Sequence, residues 1–356
     1  MKKILLFALL LPALYLLSSC SGGQVTRLDG AGATFPLPFY TVAFKAYHEA
    51  TGIQVNYGGI GSGGGIRNLS DKIVDFAATD AFLTDEEMAG MEAVVHVPTC
   101  MGAVVVAFNL PGVDTLRLTG ALVADIYLGK ITKWNDARIV SENPDTELPD
   151  LSITPVYRSD GSGTTNVFSD YLTKVSPEWQ AKVGSGKSLR WPVGLAAKGN
   201  PGVAGIVAQT PGAVGYVGSE YSFSSDLSVA LLQNRAGNYI APSVESITAA
   251  AQVQIPADTR VMITNSAAPE AYPISCFTWL VCYREQKYGS RSEARAWETL
   301  RLLRWMLGPQ AQELTVAAHY APLPQNVVQL ALKQLERVTY GGAPLQRPVQ
   351  EAEQHS

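Results

Sequence analysis

Arg158-Ser159-Asp160-Gly161-Ser162-Gly163-Thr164-Thr165 is the stretch on which the reading of this chain turns. A short apolar run, Ile153 to Tyr157, precedes it and has the β-branched and aromatic content of a strand. The run that follows, Asn166 to Val175, puts Val167, Phe168, Tyr171 and Leu172 on one helical face. A strand, a Gly/Ser/Thr turn and a helix in succession set backbone N–H groups and hydroxyls at a helix N-terminus. That end carries partial positive charge and suits an anion. Arg158 adds a full charge and a forked set of donors. Taken alone, the same residues also read as a polar turn with a good N-cap, so the rest of the chain decides.

Two more junctions of this kind lie upstream. Leu28 to Pro36 leads into a helical run to Ala50, with Phe39, Val42, Ala43 and Ala46 at helical spacing and Gly52 as the stop. Pro36 suits the first helical turn, which places Thr34 and Phe35 at the N-terminus. A strand from Ile53 to Tyr57 then feeds Gly58 to Gly65 and a short helix from Ile66 to Leu69. Gly59, Gly61 and Gly64 match G-x-G-x-x-G, and Asp80 stands at about the distance of a ribose-binding acid. That spacing is a weak signal, and an exported chain has little access to nucleotide cofactors. Val74 to Ala78 reads as a strand ending at Asp80, followed by a Thr84-x-x-Glu87 capping box. Asp80 caps nothing. A carboxylate at the carboxyl end of a strand, beside glycine-rich loops, is where open α/β sheets bind ligands, although a solvated turn Asp reads the same way.

The first residues are an address. Lys2 and Lys3 precede an apolar run, Ile4 to Leu17, of signal-peptide length. Leu17-Ser18-Ser19-Cys20 is similar to a bacterial lipobox, which implies removal of residues 1–19 and lipid on Cys20; the alternative is an ordinary secretory leader. Residues 20–27 would be the lipidated start and tether. The chain has 356 residues, 47% hydrophobic and 16% charged, enough for a large core. Net charge is −4, and loss of Lys2 and Lys3 takes it to −6, 25 basic against 31 acidic side chains. That balance argues against a nucleic-acid partner. An anion would be held by local dipoles and one or two cations.

The anion-favouring loops and Asp80 together resemble the phosphate-binding proteins of bacterial high-affinity phosphate ABC transporters. The resemblance rests on Gly30 to Pro36, Gly61 to Gly65, Val74-Asp75-Phe76 with Thr79-Asp80-Ala81, and Arg158 to Thr164. It continues through Asp125 to Ile131, Lys133-Trp134-Asn135, Lys198-Gly199-Asn200, Pro211 to Tyr216 and Tyr272-Pro273-Ile274, in unbroken order over roughly 28–340. It implies an α/β, two-lobed periplasmic-binding-protein fold of type II with two crossover strands, Val97 to Asn109 and Ala271 to Tyr283. One lobe would comprise 28–100 plus 272–345, the other 101–271, with a loose tail at 346–356. Ligand would sit in the interlobe cleft.

Carried over by motif, the phosphate contacts fall on Thr34, Phe35, Ser62, Asp80, Arg158, Ser162, Gly163 and Thr164, with Asp160 holding the Arg158 guanidinium. Asp80 would select a protonated oxyanion, because phosphate can donate a proton to it and sulfate cannot. The implied partners are inorganic phosphate, ABC permease subunits and a membrane reached through the lipid anchor, with the receptor a monomer and no cofactor. The chain departs from the family at Phe82, where Pro is expected, and at Gly63, in place of a frequent second Ser.

Other signals are weaker. Ala181 to Ser188 approximates a Walker A loop but lacks a preceding hydrophobic strand. Neither Ser62 nor Ser162 sits in a G-x-S-x-G elbow, and His48, His96, His319 and His355 lack metal-ligand spacing, so no catalytic residue and no metal are expected. Trp134, Trp191 and Trp297 read as packing residues. Cys100 and Cys276 occupy similar points on the crossover strands; they read as buried thiols, with a disulfide as the alternative. Downstream, Ser290-x-x-Glu293 reads as the cap of a helix through Met306, with helices at Gln310 to His319 and Gln325 to Arg337 and loose chain from Gly341. The competing functions are a receptor or sensor for arsenate or sulfate, and an exported phosphatase.

Overall fold

The computed structural model describes residues 25–347. The expectations for the leader, for lipid on Cys20 and for the tail beyond 347 fall outside the described residues. The chain opens with β1 (Arg27–Gly32), α1 (Leu37–Thr51), β2 (Gln54–Gly59), α2 (Ser62–Ser70), β3 (Phe76–Thr79) and α3 (Asp85–Ala89). The long strand β4 (Val94–Phe108) leads to β5 (Arg117–Leu118), α4 (Gly120–Tyr127), α5 (Ala137–Glu142), β6 (Thr154–Arg158), α6 (Gly163–Val175) and α7 (Pro177–Lys182). Then follow β7 (Leu195–Ala197), α8 (Gly199–Gln209), β8 (Ala213–Gly218), α9 (Ser219–Ser224), β9 (Ser228–Val229), β10 (Leu231–Gln233), β11 (Tyr239–Ile240) and α10 (Val244–Ala250). Strand β12 (Ser275–Tyr283) returns the chain to α11 (Glu293–Met306), α12 (Pro309–Ala317), α13 (Gln325–Leu335) and a hairpin of β13 (Thr339–Tyr340) and β14 (Ala343–Pro344).

The main sheet runs in the order β2-β1-β3-β12-β4-β8-β6-β7, with β9 paired to β4. Strands β2, β1 and β3 are parallel and form one wing; β8, β6 and β7 are parallel and form the other. Between them β12 and β4 pair antiparallel, and β4 pairs antiparallel with β8 through its second half, Val104–Phe108. Helices cover the wings, so the inner strands β3 and β8 are buried on both faces, and the central β4 reads as a continuous apolar run, Val104-Val105-Val106-Ala107. Helix α1 buries Phe39, Tyr40, Ala43, Phe44 and Tyr47, one stripe of a 3.6-residue repeat, and ends at Gly52 in the left-handed conformation.

Element ends differ from the sequence reading in ways that matter for the site. Helix α6 begins at Gly163, not Asn166, and Ser162 is its N-cap. Helix α2 begins at Ser62, not Ile66. Pro36 is the cap of α1 rather than a residue of its first turn. The cap of α11 is Ser292, whose hydroxyl accepts the Arg295 N–H, and not Ser290. Gly341 and Gly342 form the turn of the β13–β14 hairpin, where loose chain was expected. Cys100, Cys276 and Cys282 are buried free thiols. The register sets Cys276 opposite Gly102 and Cys100 opposite Thr278, so the alternative of a Cys100–Cys276 disulfide is not realised.

Asp75, just before β3, fastens α11 to the first wing. It accepts from Arg295 Nε and Nη2 at 2.7 Å each, from the Asp29 N–H at 2.8 Å, and from Arg291. Burial opposes ionisation of Asp75, but its bonds to Arg295 and the charge of Arg291 hold its carboxyl below the usual value of 3.8. A depressed carboxyl adds stability above its unfolded value, and that stability is lost as pH falls through the folded value. Asp75→Ala strands the buried Arg291 and should cost about 3 kcal/mol at neutral pH. It should also flatten the stability profile below about pH 4. Urea unfolding across pH checks both; an acid limb identical to the parent's would contradict the assignment.

Candidate functional site

The loops leaving the carboxyl ends of β1, β2, β3, β6, β7 and β8 meet in one place. On the second wing, Ser162 accepts the Thr165 N–H at 3.0 Å and fixes the start of α6. Arg158, the last residue of β6, is buried. Its Nε and Nη2 donate to Asp160 at 2.7 and 2.5 Å, and its Nη1 lies 3.4 Å from Thr164 Oγ1. Asp160 also accepts the Gly199 N–H at 3.0 Å, tying in the start of α8. Burial works against ionisation of Asp160, yet its bond to Arg158 and that residue's charge hold its carboxyl below the usual range.

From the first wing, Ser62 opens α2 behind Gly61, whose φ of +88° suits glycine. The Gly163 N–H donates to Ser62 Oγ at 3.0 Å, and the Gly63 N–H donates to the Gly161 carbonyl at 2.9 Å. Gly163 is required by packing: a Cβ there would stand 2.5 Å from Ser62 Oγ and 2.7 Å from the Asp80 nitrogen. Thr34 Oγ1 accepts from Asn200 twice, N at 3.1 Å and Nδ2 at 3.0 Å. Tyr57 donates to the Ala33 carbonyl at 2.7 Å, Tyr221 donates to the Thr34 carbonyl, and Tyr320 donates to the Phe35 carbonyl. In a trans peptide the N–H points opposite the C=O. Tyr57 and Tyr221 therefore aim the Thr34 and Phe35 N–H groups, while the Phe35 ring is fully buried.

Asp80 sits among these donors with its side chain buried. Thr278 Oγ1 donates to Oδ1 at 3.0 Å, and Thr164 Oγ1 to Oδ2 at 3.2 Å. Burial pushes the Asp80 carboxyl up to about 7, against the Thr278 bond, the Arg158 charge and the Thr164 bond. The cluster thus joins one buried guanidinium, several hydroxyls, helix N-termini and one carboxyl able to gain or lose a proton near neutrality. It can hold an oxyanion and sense whether that anion carries a proton.

All nine residues singled out from the sequence, Thr34, Phe35, Ser62, Asp80, Arg158, Asp160, Ser162, Gly163 and Thr164, lie at this seam. Three further residues escaped that reading. Asn200 is fully buried and bridges the wings, donating to Thr34 and to Thr164 Oγ1 at 3.2 Å while accepting the Gly218 N–H at 3.1 Å. Tyr221 and Thr278 are the others. The signal for Asn200 was its place after Gly199, the turn glycine that opens a helix. The Walker-like Lys187 instead pairs with both carboxylate oxygens of Glu87, at 2.6 and 2.8 Å.

A two-winged α/β sheet closed over a buried polar seam defines a solute-binding protein, and the model of the PBP superfamily domain matches residues 19–306. The phosphate-binding protein PstS of Xylella fastidiosa (strain 9a5c) is 42% identical over 318 residues, 87% of this chain and 84% of the relative. That of Pasteurella multocida (strain Pm70) is 37% identical over 333 residues, 92% of this chain and 94% of the relative. In fold, the chain resembles a high-affinity periplasmic phosphate-binding protein (PfluDING) solved with phosphate bound. The TM-score is 0.70 at 21% identity, covering 91% of this chain and 100% of that one. The chain belongs to the PBP superfamily and, within it, to the family of PstS phosphate-binding proteins.

Gly163→Ala should fold but hold the wings apart, because the added methyl wedges between Ser62 and Asp80. Small-angle scattering should give a larger radius of gyration than the parent's; equal values would show that the seam absorbs the methyl.

Proposed function

We propose that this chain captures inorganic phosphate outside the cytoplasmic membrane and delivers it to an ABC permease, making and breaking no covalent bond. The observation that carries this reading is Asp80, a buried carboxyl without a cationic hydrogen-bond partner at the centre of a donor-rich cluster. Thr34, Ser62, Ser162 and Thr164 supply hydroxyls, Thr34, Phe35, Ser62 and Thr164 also supply N–H groups, Gly163 supplies its N–H on giving up Ser62 Oγ, and Arg158 supplies charge; the Ser162 N–H is held by the Lys187 carbonyl. Asp160 keeps the guanidinium in place. The ionised Asp80 accepts the proton that phosphate keeps at neutral pH; sulfate has none to give, so two unscreened anions would face each other. The names of the family's members, and phosphate in a protein of the same fold, support the choice of ligand.

The division into lobes at 28–100 plus 272–345 and 101–271 follows from this reading, with closure about the paired long strands. Export, a lipid anchor on Cys20 and a monomeric receptor belong to the same proposal. Closure has a clasp at its lip. The acidic first turn of α3 meets Lys187 across the seam through Glu87, and Arg260 Nη1 through Asp85 at 2.8 Å. Phe82, the departure from the family pattern, packs edge-on to Trp279 with ring centroids 5.7 Å apart and lies 6.0 Å from the Arg260 guanidinium. It therefore buttresses the clasp.

Calorimetric titration of the exported chain, stripped of carried-over ligand, should give tight one-to-one phosphate binding and no sulfate binding above about pH 8. Sulfate should begin to bind as pH falls through the Asp80 value of about 7, where the acid form can donate. Asp80→Asn should accept sulfate at every pH. Arg158→Ala should weaken phosphate at least about 100-fold. A folded, stripped chain that ignores phosphate would refute the proposal. Lys187→Ala should speed phosphate release about fivefold at low salt and much less at high salt. Stopped-flow release rates that do not change would leave the clasp without a role.

A further inference from the structure

Glu220 is a buried carboxyl that phosphate capture, as derived above, leaves unused. It lies in the first turn of α9, is 4% exposed, and folds back over Gly218, where a Cβ would stand 2.2 Å from its Oε1. Oε2 accepts from Ser219 at 3.4 Å, while Oε1 has no hydrogen-bond partner among the described residues. The titratable groups around it come from several elements. They are Cys100 on β4, Cys276 on β12, Asp80 after β3, Tyr320 after α12 and Tyr221 on its own helix. None of these is a cation.

Its place is structural as well as electrostatic. Tyr221 sets the Thr34 carbonyl and Tyr320 sets the Phe35 carbonyl. Glu220 neighbours both tyrosines, on the second-wing side of a seam whose other side carries Tyr320 and Phe35. A carboxylate there would lose its water and gain no counter-charge; a carboxylic acid can donate its own proton and stay dry. We propose that Glu220 is a positioning residue that is protonated in the closed protein. Its acid form seals the seam behind the Thr34–Phe35 loop, and its ionised form, which needs water, favours the open arrangement. This rests on the phosphate-receptor reading.

Closing then takes up a proton. Burial pushes Glu220 to about 8, with the facing Tyr320 hydroxyl and its own N–H working against that and Asp80 adding to it, whereas a hydrated Glu titrates near 4.5. A carboxyl raised in the closed form favours closure at low pH. That advantage shrinks as pH rises from the hydrated value toward the buried one. Phosphate binding should weaken across this window beyond what Asp80 and the ligand's own titration produce.

Phosphate titration of the exported chain, in buffers of unequal ionisation enthalpy, counts the protons taken up. The parent should take up close to one proton more than Glu220→Gln near about pH 7. Its affinity should also fall roughly 70-fold further than the variant's between about pH 6 and about pH 8.5. Equal proton counts and parallel pH profiles would overturn the inference. If Glu220→Gln does not fold, carbon-13 titration of the parent's side-chain carboxyls with phosphate bound decides. A glutamate titrating near or above pH 8 supports the proposal, and glutamates all in the ordinary range overturn it. A parent chain that binds no phosphate at any pH would instead sink the receptor reading, and this inference with it.

Discussion

Strands β4 and β12 pair antiparallel from Val94 opposite Tyr283 to Ala103 opposite Ser275, and both wings of the sheet hang from that ladder. Backbone hydrogen bonds fix the direction of each wing, so the carboxyl ends of two separate sets of parallel strands point toward one seam. The ladder also aims chemistry. Its register shifts between Thr278 and Trp279, an irregularity of the kind that redirects a side chain, and Thr278 there turns its hydroxyl onto Asp80.

The seam treats its two signs of charge unequally. Arg158 is buried with a carboxylate partner that grips it on two nitrogens, so the cation is held in place before any anion arrives. Asp80 is buried with hydroxyl partners only, and its charge is correspondingly costly. One group is thus a permanent attractor and the other a conditional acceptor. A chain of net charge −4 can hold an anion on these terms because the attraction is local: helix N-termini, aimed N–H groups and one guanidinium inside a water-poor seam.

Much of this was legible before any coordinates. Each strand–turn–helix junction is a local object, written in residues within a dozen positions of one another, and Thr34, Ser62, Asp80 and Ser162 were each recognisable there. The misplacements have local and tertiary causes. Ser290 and Ser292 both precede Glu293, and the capping-box pattern favours the former. The chain uses the latter because Arg291, between them, is drawn into the buried network at Asp75. Asn200 and Tyr221 act across the seam, and Thr278 reaches Asp80 from a strand 198 positions further on. In sequence they are an ordinary helix start, a helix aromatic and a strand threonine.

By itself, then, the sequence determined the elements, the glycine-rich junctions and the residue types an oxyanion needs, because propensity, capping and side-chain chemistry are short-range properties. The tertiary structure alone decided which junctions face one another. It set the Asn200 bridge, the tyrosines that aim the Thr34 and Phe35 peptides, and the ion pairs of α3 with Lys187 and Arg260. It also moved Asp80 to about 7 and Glu220 to about 8. Those outcomes depend on burial and on contacts between residues as much as 285 positions apart, as Tyr320 and Phe35 are. No local pattern encodes the desolvation that such distant packing imposes.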